Sequence, residues 1–315
     1  MSGISREHLG ELVAELAPKW QVQQESALAR RRGSDRRREQ GAGPKHQLVF
    51  VDRLLATLVK LRHDLPDAAL AGLFGVDRST ISGAIRQIRP LLAARGFAVP
   101  DRPGIRLRAL EDVFAYAAAE GVKLRIDGTD VQVRRPTAGR PGRKAFISGK
   151  RKQNTIKTTT FTDGQGRTLF SGIPRPGRMH DQTALRTEGI AECFRQFPDV
   201  QAEVDDGDRG LANEFPHQVS APPKPMAKKA RETAALGEQY AWREARRRQS
   251  STRICVEHAN AEYKQWRPMR RYTGSRENFA ETQAAIAGLV SDRSARRATR
   301  HEASTELVLA HPAAC

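Results

Sequence analysis

Cysteine is scarce in this chain, with three thiols in 315 residues, Cys193, Cys255 and Cys315. None stands in Cys-x-x-Cys spacing, so neither a disulfide framework nor a zinc ribbon is encoded, and the thiols suit a reducing, intracellular setting. Long apolar runs are missing too. Nowhere do about 18 uncharged apolar residues follow one another, and the first 30 residues lack the apolar stretch of a secretory signal. The expectation is a soluble, cytoplasmic protein that stays with the nucleoid. No Gly-rich loop of the P-loop or dinucleotide-binding kind occurs, which leaves ATP or NAD use without support. His-Glu-x-x-His is absent around Glu257-His258, which argues against a zinc hydrolase site. Aromatic residues make up 6% of the chain, and the platforms on which many RNA-binding domains stack bases are not visible.

Acid is also in deficit, since 36 Asp and Glu face 54 Lys and Arg, for a formal charge of +18 and a pI near 10.6. A surplus of that size favours polyanions through release of their counterions, and nucleic acid is the first candidate partner. The plainer alternative is a basic protein kept soluble by self-repulsion.

The length allows one sizeable core and a smaller module. We divide the chain into a helical and basic arm (1–47), a helix-turn-helix unit (48–98), a catalytic-size domain (99–300) and a tail (301–315). Leu9, Leu12, Val13 and Leu16 predict one or two short helices over 5–29. The block from Arg30 to Arg38 reads either as a solvated arm or as one lying along DNA. From Phe50 the stripe Leu54, Leu55, Leu58, Leu61 predicts a helix, Pro66 suits the first turn of a second, and Gly75 can take the φ > 0 conformation of a sharp turn. Asp77 is placed to cap a third helix through Ile81, Ile85 and Ile88. On that helix Arg78, Ser79, Thr80, Ser82 and Arg86 are candidate DNA contacts in the major groove. A three-helix bundle without a DNA role has the same apolar pattern; the net charge favours the DNA reading.

Pro100 to Gly104 reads as a linker. Beyond a helix at 107–119, strands are predicted at Val122–Ile126, Thr155–Phe161, Thr168–Phe170, Val200–Val204 and Gln218–Ala221, with a hairpin loop at Thr162–Gly166 and a helix at Gln182–Phe197. Residues 226–249 are helical by composition and strongly basic. The order is mixed α/β.

Three acids stand at exposed ends of these elements. Asp127 follows one strand, Asp205 follows another, and Glu257 lies on a late helix. Parallel neighbouring strands would deliver both Asp residues to one sheet edge, with the helix adding the third. Clustered carboxylates repel one another unless cations bind between them, and hard oxygen ligands select Mg²⁺ or Mn²⁺. Such a site suits in-line phosphoryl transfer. Taken singly, an Asp at a strand end is more often a turn former.

The blocks Ile126-Asp127-Gly128-Thr129, Pro176-Gly177-Arg178-Met179-His180-Asp181 and Val256-Glu257-His258-Ala259, behind a helix-turn-helix at 48–96, resemble the successive signatures of the DDE transposases of insertion sequences. The resemblance covers nearly the whole chain. It implies a ribonuclease-H-like mixed sheet flanked by helices, preceded by an all-α helix-turn-helix domain. It also implies an enzyme that binds the double-stranded ends of an insertion element and performs Mg²⁺- or Mn²⁺-dependent cleavage and strand transfer, as a homodimer on DNA. The family's acids carry over to Asp127, Asp205 and Glu257, with Asp181 as rival for the second; Asp205 is preferred because in such a core the fourth strand lies beside the first. Asp181 is then expected to cap the helix from Gln182. In the pattern Tyr-x₂-Arg-x₃-Glu-x₆-Lys, Arg253 and Lys264 match and would contact DNA phosphate, while Ser250 stands in place of Tyr. Asp208 likewise replaces an aromatic expected after Asp205. These two departures motivate the alternative of a catalytically inactive, transposase-derived DNA-binding protein. Trp242 and Trp266 read either as core residues or as stacking surfaces for an unpaired base.

Overall fold

Amphipathic spacing decides the N-terminal third. The structure, a computed structural model, describes residues 2–33, 46–135, 143–224, 226 and 233–297. Most of the basic block after Arg32, the basic residues Lys228, Lys229 and Arg231, and the tail at 301–315 lie outside the described residues.

Helix α1 (Arg6–Arg32) is one continuous element where one or two shorter ones were expected, and it buries Leu12, Leu16 and Trp20. Ser5 caps it by accepting the His8 N–H. Arg30, Arg31 and Arg32 form its last turn, where cations complement the partial negative charge of the helix end. Helices α2 (Phe50–His63), α3 (Asp67–Phe74) and α4 (Arg78–Ala93) follow the predicted pattern. Gly75 joins α3 to α4 at φ 63°, a conformation that side-chain-bearing residues resist. Leu48, Ala56, Leu70, Ile81, Ala84 and Ile85 form a small core of their own. Two local expectations are corrected: Pro66 occupies the cap position rather than the first turn, and Asp77 holds the cap position of α4 without a capping bond from its carboxylate.

The segment read as a linker is an antiparallel hairpin, β1 (Phe97–Val99) and β2 (Arg102–Leu107). Pro100 and Asp101 mark its turn, and Phe97, Val99 and Leu107 bury into the main core. After α5 (Leu110–Glu120) come β3 (Leu124–Val133), β4 (Thr155–Thr162), β5 (Thr168–Ser171) and a two-residue β6 (Arg175–Pro176). The predicted helix over 182–197 is two, α6 (Asp181–Thr187) and α7 (Ile190–Gln196), broken at Gly189 with φ 81°. Then follow β7 (Ala202–Val204), α8 (Arg209–Glu214), β8 (Val219–Ser220), the long α9 (Leu236–Tyr263), β9 (Arg271–Tyr272) and α10 (Phe279–Ala295).

The sheet order is β5-β4-β3-β7-β8, with β4 antiparallel to both β3 and β5, and with β7 and β8 parallel to β3. The fourth principal strand therefore lies beside the first, the arrangement of a ribonuclease-H-like sheet. One apolar core runs from Leu12 and Leu16 through Leu54, Leu58, Ile88 and Leu92 to Phe114, Ile126, Phe161, Phe194, Val204 and Leu289, so the N-terminal helices and the sheet share an interior. Beside that junction Asp292 of α10 accepts bonds from His8 Nε2 at 3.0 Å and Arg95 at 2.5 Å, and from Arg106. Among the described residues no helix is long and apolar enough to cross a membrane.

Candidate active site and DNA-binding face

Strand register builds the site. β3 and β7 pair in parallel as Leu124↔Ala202, Arg125↔Glu203 and Ile126↔Val204. The next residue on each strand is an aspartate, Asp127 and Asp205. Side chains alternate along a strand, so both fall on the face already shared by Arg125 and Glu203, whose side chains meet at 3.2 Å. Asp127 does not end its strand: β3 continues to Val133 because β4 pairs along it from Arg125↔Thr162 to Gln132↔Thr155. What ends at Ile126 is the pairing with β7, and there the two aspartates emerge side by side. Asp205 accepts the Asp206 N–H at 2.7 Å.

Helix α9 packs over this point through Val256, Ala259, Asn260 and Tyr263, all buried. Its contact with Asp127 comes from Asn260, whose Nδ2 donates to Oδ2 at 2.8 Å. Glu257 precedes Asn260 by one helical turn and is exposed. Lys264 closes the helix, its N–H bonding Asn260 O at 3.0 Å. Ser250 is exposed further up the same helix, and the side chain of Arg253 lies outside the described residues. Sequence reasoning missed Asn260, and only its position three residues after Glu257 could have suggested it.

Asp181 is not the cap of α6. The helix begins at Asp181 itself with His180 at the cap position, and the Asp181 carboxylate accepts from Lys157 Nζ at 2.6 Å. Lys157 also donates to Met179 O at 2.9 Å and stands opposite Asp130 in the β3–β4 register. Asp181 thus has a cation partner within the fold.

Asp208 was legible only as a missing aromatic. In the structure it is 4% exposed, and its buried Oδ1 has no hydrogen-bond partner. Burial first, and then the charges of Asp181, Asp127 and Asp205, push its carboxyl up to about 7, with Lys157 opposing. Lys157, Arg175, Thr158, Thr159, Asp181 and Leu185 line a narrow cleft with it. Carboxylate oxygens such as those of Asp127 and Asp205 are the donors that a hard divalent cation takes. Among the described residues no three acidic, His or Cys side chains already stand close enough together to hold a metal ion.

On α4 the residues Arg78, Ser79 and Arg86 are exposed, whereas Thr80 and Ser82 are half-buried. Thr80 Oγ1 lies 3.3 Å from Gln47 Oε1. Arg78, Ser82 and Arg86 line a groove of about 800 Å³ together with Arg134, Ser275 and Asn278. The walls are held by an Arg89–Glu281 ion pair and by Thr273 Oγ1 donating to Asp64 at 2.7 Å. Trp266 is a core residue under the Arg62 guanidinium. Trp242 is half-buried, and its Nε1 donates to Lys224 O at 2.8 Å.

Residues 126–291 match the family described as DDE superfamily endonuclease, and residues 46–98 match the helix-turn-helix of DDE superfamily endonuclease. A probable transposase for insertion sequence element IS702 from Microchaete diplosiphon is 24% identical over 256 residues, spanning 78% of this chain and 83% of the relative. Among solved structures, the Mos1 transposase paired-end complex with left transposon end is 13% identical, spans 75% of this chain and 86% of its own, and overlays with a TM-score of 0.19. A pre-cleavage Mos1 transpososome is 12% identical over the same shares, with a TM-score of 0.20. Overlays that weak carry no argument; the fold assignment stands on the strand order.

Proposed function

Because the chain belongs to the DDE superfamily endonuclease family, we propose that it is a transposase, which binds the ends of an insertion element through residues 48–98 and cleaves and rejoins DNA through residues 99–300. The observation that carries this reading is the register that sets Asp127 beside Asp205 where β7 leaves the sheet, under the helix that bears Glu257. In this reading Asp127, Asp205 and Glu257 hold Mg²⁺ or Mn²⁺. The bound cation supplies activation of the attacking oxygen and relief of charge on the leaving one. Asn260 orients the Asp127 carboxylate by its hydrogen bond. Lys264 and Arg253 contact phosphate beside the cut, and Arg78, Ser79, Thr80, Ser82 and Arg86 read or clasp the duplex. Pairing two ends calls for two subunits, so a homodimer forms on DNA, in the nucleoid of the cytoplasm.

The test is incubation of the purified protein with labelled element ends, with and without Mg²⁺ or Mn²⁺. Metal-dependent nicking at the element boundary is expected; intact DNA under every condition would overturn the enzymatic reading. A second reading, a DNA-binding protein without catalysis, is favoured by Asp208 and Ser250 at positions where the family pattern has aromatics. Retention of the ends on the protein with no nick would select it.

A further inference from the structure

The groove lined by α4 and residues 272–278 carries more positive charge than the fold neutralises. Five cations, Lys60, Arg78, Arg86, Arg89 and Arg134, line it against two acids, Asp64 and Asp67. Both acids pair with Lys60, at 3.5 and 3.2 Å, and Arg89 pairs with Glu281. Arg78, Arg86 and Arg134 are exposed and have no ion pair among the described residues. Like charges gathered around one groove repel one another, and an anion bound there removes that repulsion.

Two separate parts of the chain bring these guanidinium groups together. Arg78, Ser82 and Arg86 recur every four residues on α4 and so form one stripe along it. Arg134 follows β3, which pairs with β9 as Gln132↔Arg271 and Val133↔Tyr272 and so sets Arg134 beside Thr273. The segment after Thr273 is fixed in place: Thr273 Oγ1 donates to Asp64 at 2.7 Å, Tyr272 Oη donates to Ser275 O at 2.9 Å, and a Cβ on Gly274 would stand 2.6 Å from that Oη. Ser275 and Asn278 are exposed there and offer a hydroxyl and an amide.

We propose that this groove seats the phosphate backbone of one strand of duplex DNA, with Arg134, Ser275 and Asn278, outside the helix-turn-helix, sharing that strand with Arg78, Ser82 and Arg86. The inference rests on the reading of α4 as a DNA-contacting helix and deepens it, because it gives this stripe of α4 to phosphate and not to base edges. Guanidinium, hydroxyl and amide groups are the donors that phosphate oxygens accept, and about 800 Å³ is room for a stretch of backbone and not for a whole double helix. β3 also ties the groove to the candidate acids. Asp127 stands seven residues before Arg134, no more than roughly 23 Å at about 3.3 Å per residue, so a duplex seated here is anchored by the same strand that carries Asp127.

The test is binding of the full-length protein to labelled element ends and to an unrelated duplex of equal length, followed by fluorescence anisotropy over a range of salt concentrations without divalent metal. Arg134→Gln is expected to weaken binding to both duplexes by the same factor, about fivefold or more, and to reduce the slope of log affinity against log salt by about one. Asn278→Asp, which puts an acid in the groove at constant shape, is expected to weaken both to a similar extent. Arg195→Gln, exposed on α7, controls for net charge and is expected to keep the wild-type slope. Wild-type affinity and slope in both groove variants, with Arg78→Gln still weakened, would overturn the inference and leave the DNA-binding reading standing. Loss on element ends alone would overturn it as well, by making the contact one to bases. So would equal weakening by Arg195→Gln, by reducing the effect to overall charge. Failure of the wild type to bind either duplex would overturn the DNA-binding reading itself, and the inference with it.

Discussion

Asp208 and Asp292 are the same residue at nearly the same depth, 4% and 3% exposed, and their surroundings are opposite. Burial alone would push the Asp292 carboxyl up, yet the hydrogen bond from His8 and the guanidinium groups of Arg95 and Arg106 hold it well below the usual carboxylate range. Burial pushes Asp208 up as well, and there the neighbouring Asp181, Asp127 and Asp205 add to the rise, to about 7. The first acid joins helix α1, the end of α4, the hairpin and α10 into one body. The second stands in a narrow cleft where neighbouring acids add to the cost of its charge and Lys157 only partly offsets them. The saturated cluster holds the fold together at the junction, whereas the cleft keeps a buried carboxyl that its surroundings do not satisfy.

The sharpest way to separate the two regions is to remove one acid from each. Asp127→Asn is expected to lower DNA cleavage by about a thousandfold or more while leaving unfolding by urea and retention of element ends unchanged. Normal cutting by that variant would remove Asp127 from the site. Asp292→Ala should do the reverse at the level of the fold, costing about 3–5 kcal/mol in urea unfolding because Arg95, itself buried, loses its strongest partner. A cost below about 1 kcal/mol would show that the junction is not held by this cluster. Asn260→Ala tests how far the cleft depends on orientation, with an expected loss of about 10- to 100-fold in cleavage and no change in end retention.

The smallest expected effect is in pH dependence, and its sign differs between the two acids. For Asp292 the folded pKa is depressed, so its stabilisation is present above the ordinary value of 3.8 and fades as pH falls below it. For Asp208 in metal-free protein the folded pKa is raised, so its contribution is most favourable below 3.8 and is lost as pH rises through about 7. Thermal unfolding in a chelator is therefore expected to show Asp208→Asn gaining steadily on wild type as pH rises from 4 to 7. A constant difference across that range would place the Asp208 titration elsewhere.

The helix-turn-helix was legible because its determinants are local: apolar residues at helical spacing, and one glycine at a turn that needs φ > 0. The candidate acids Asp127 and Asp205 were legible for a similar reason, since each follows a short β-branched or apolar run. Sequence composition misled where tertiary contacts override it. Pro100 and Gly104 suggested a tether, yet the apolar residues on either side, Phe97, Val99 and Leu107, bury together and make a hairpin of it. Asp181 looked like a helix cap, and the distant Lys157 gave its carboxylate another partner.

From its residue order alone this protein already had a basic surface, a DNA-docking helix pair, a mixed α/β order and two aspartates at the close of strand segments, because charge balance and hydrophobic period are properties of neighbouring residues. Only the tertiary structure decided that those aspartates share one sheet face, that Asn260 touches Asp127, and that Asp208 is buried beside like charges. Those outcomes depend on pairings between segments dozens of residues apart, where register and burial, and not local pattern, set which side chains meet.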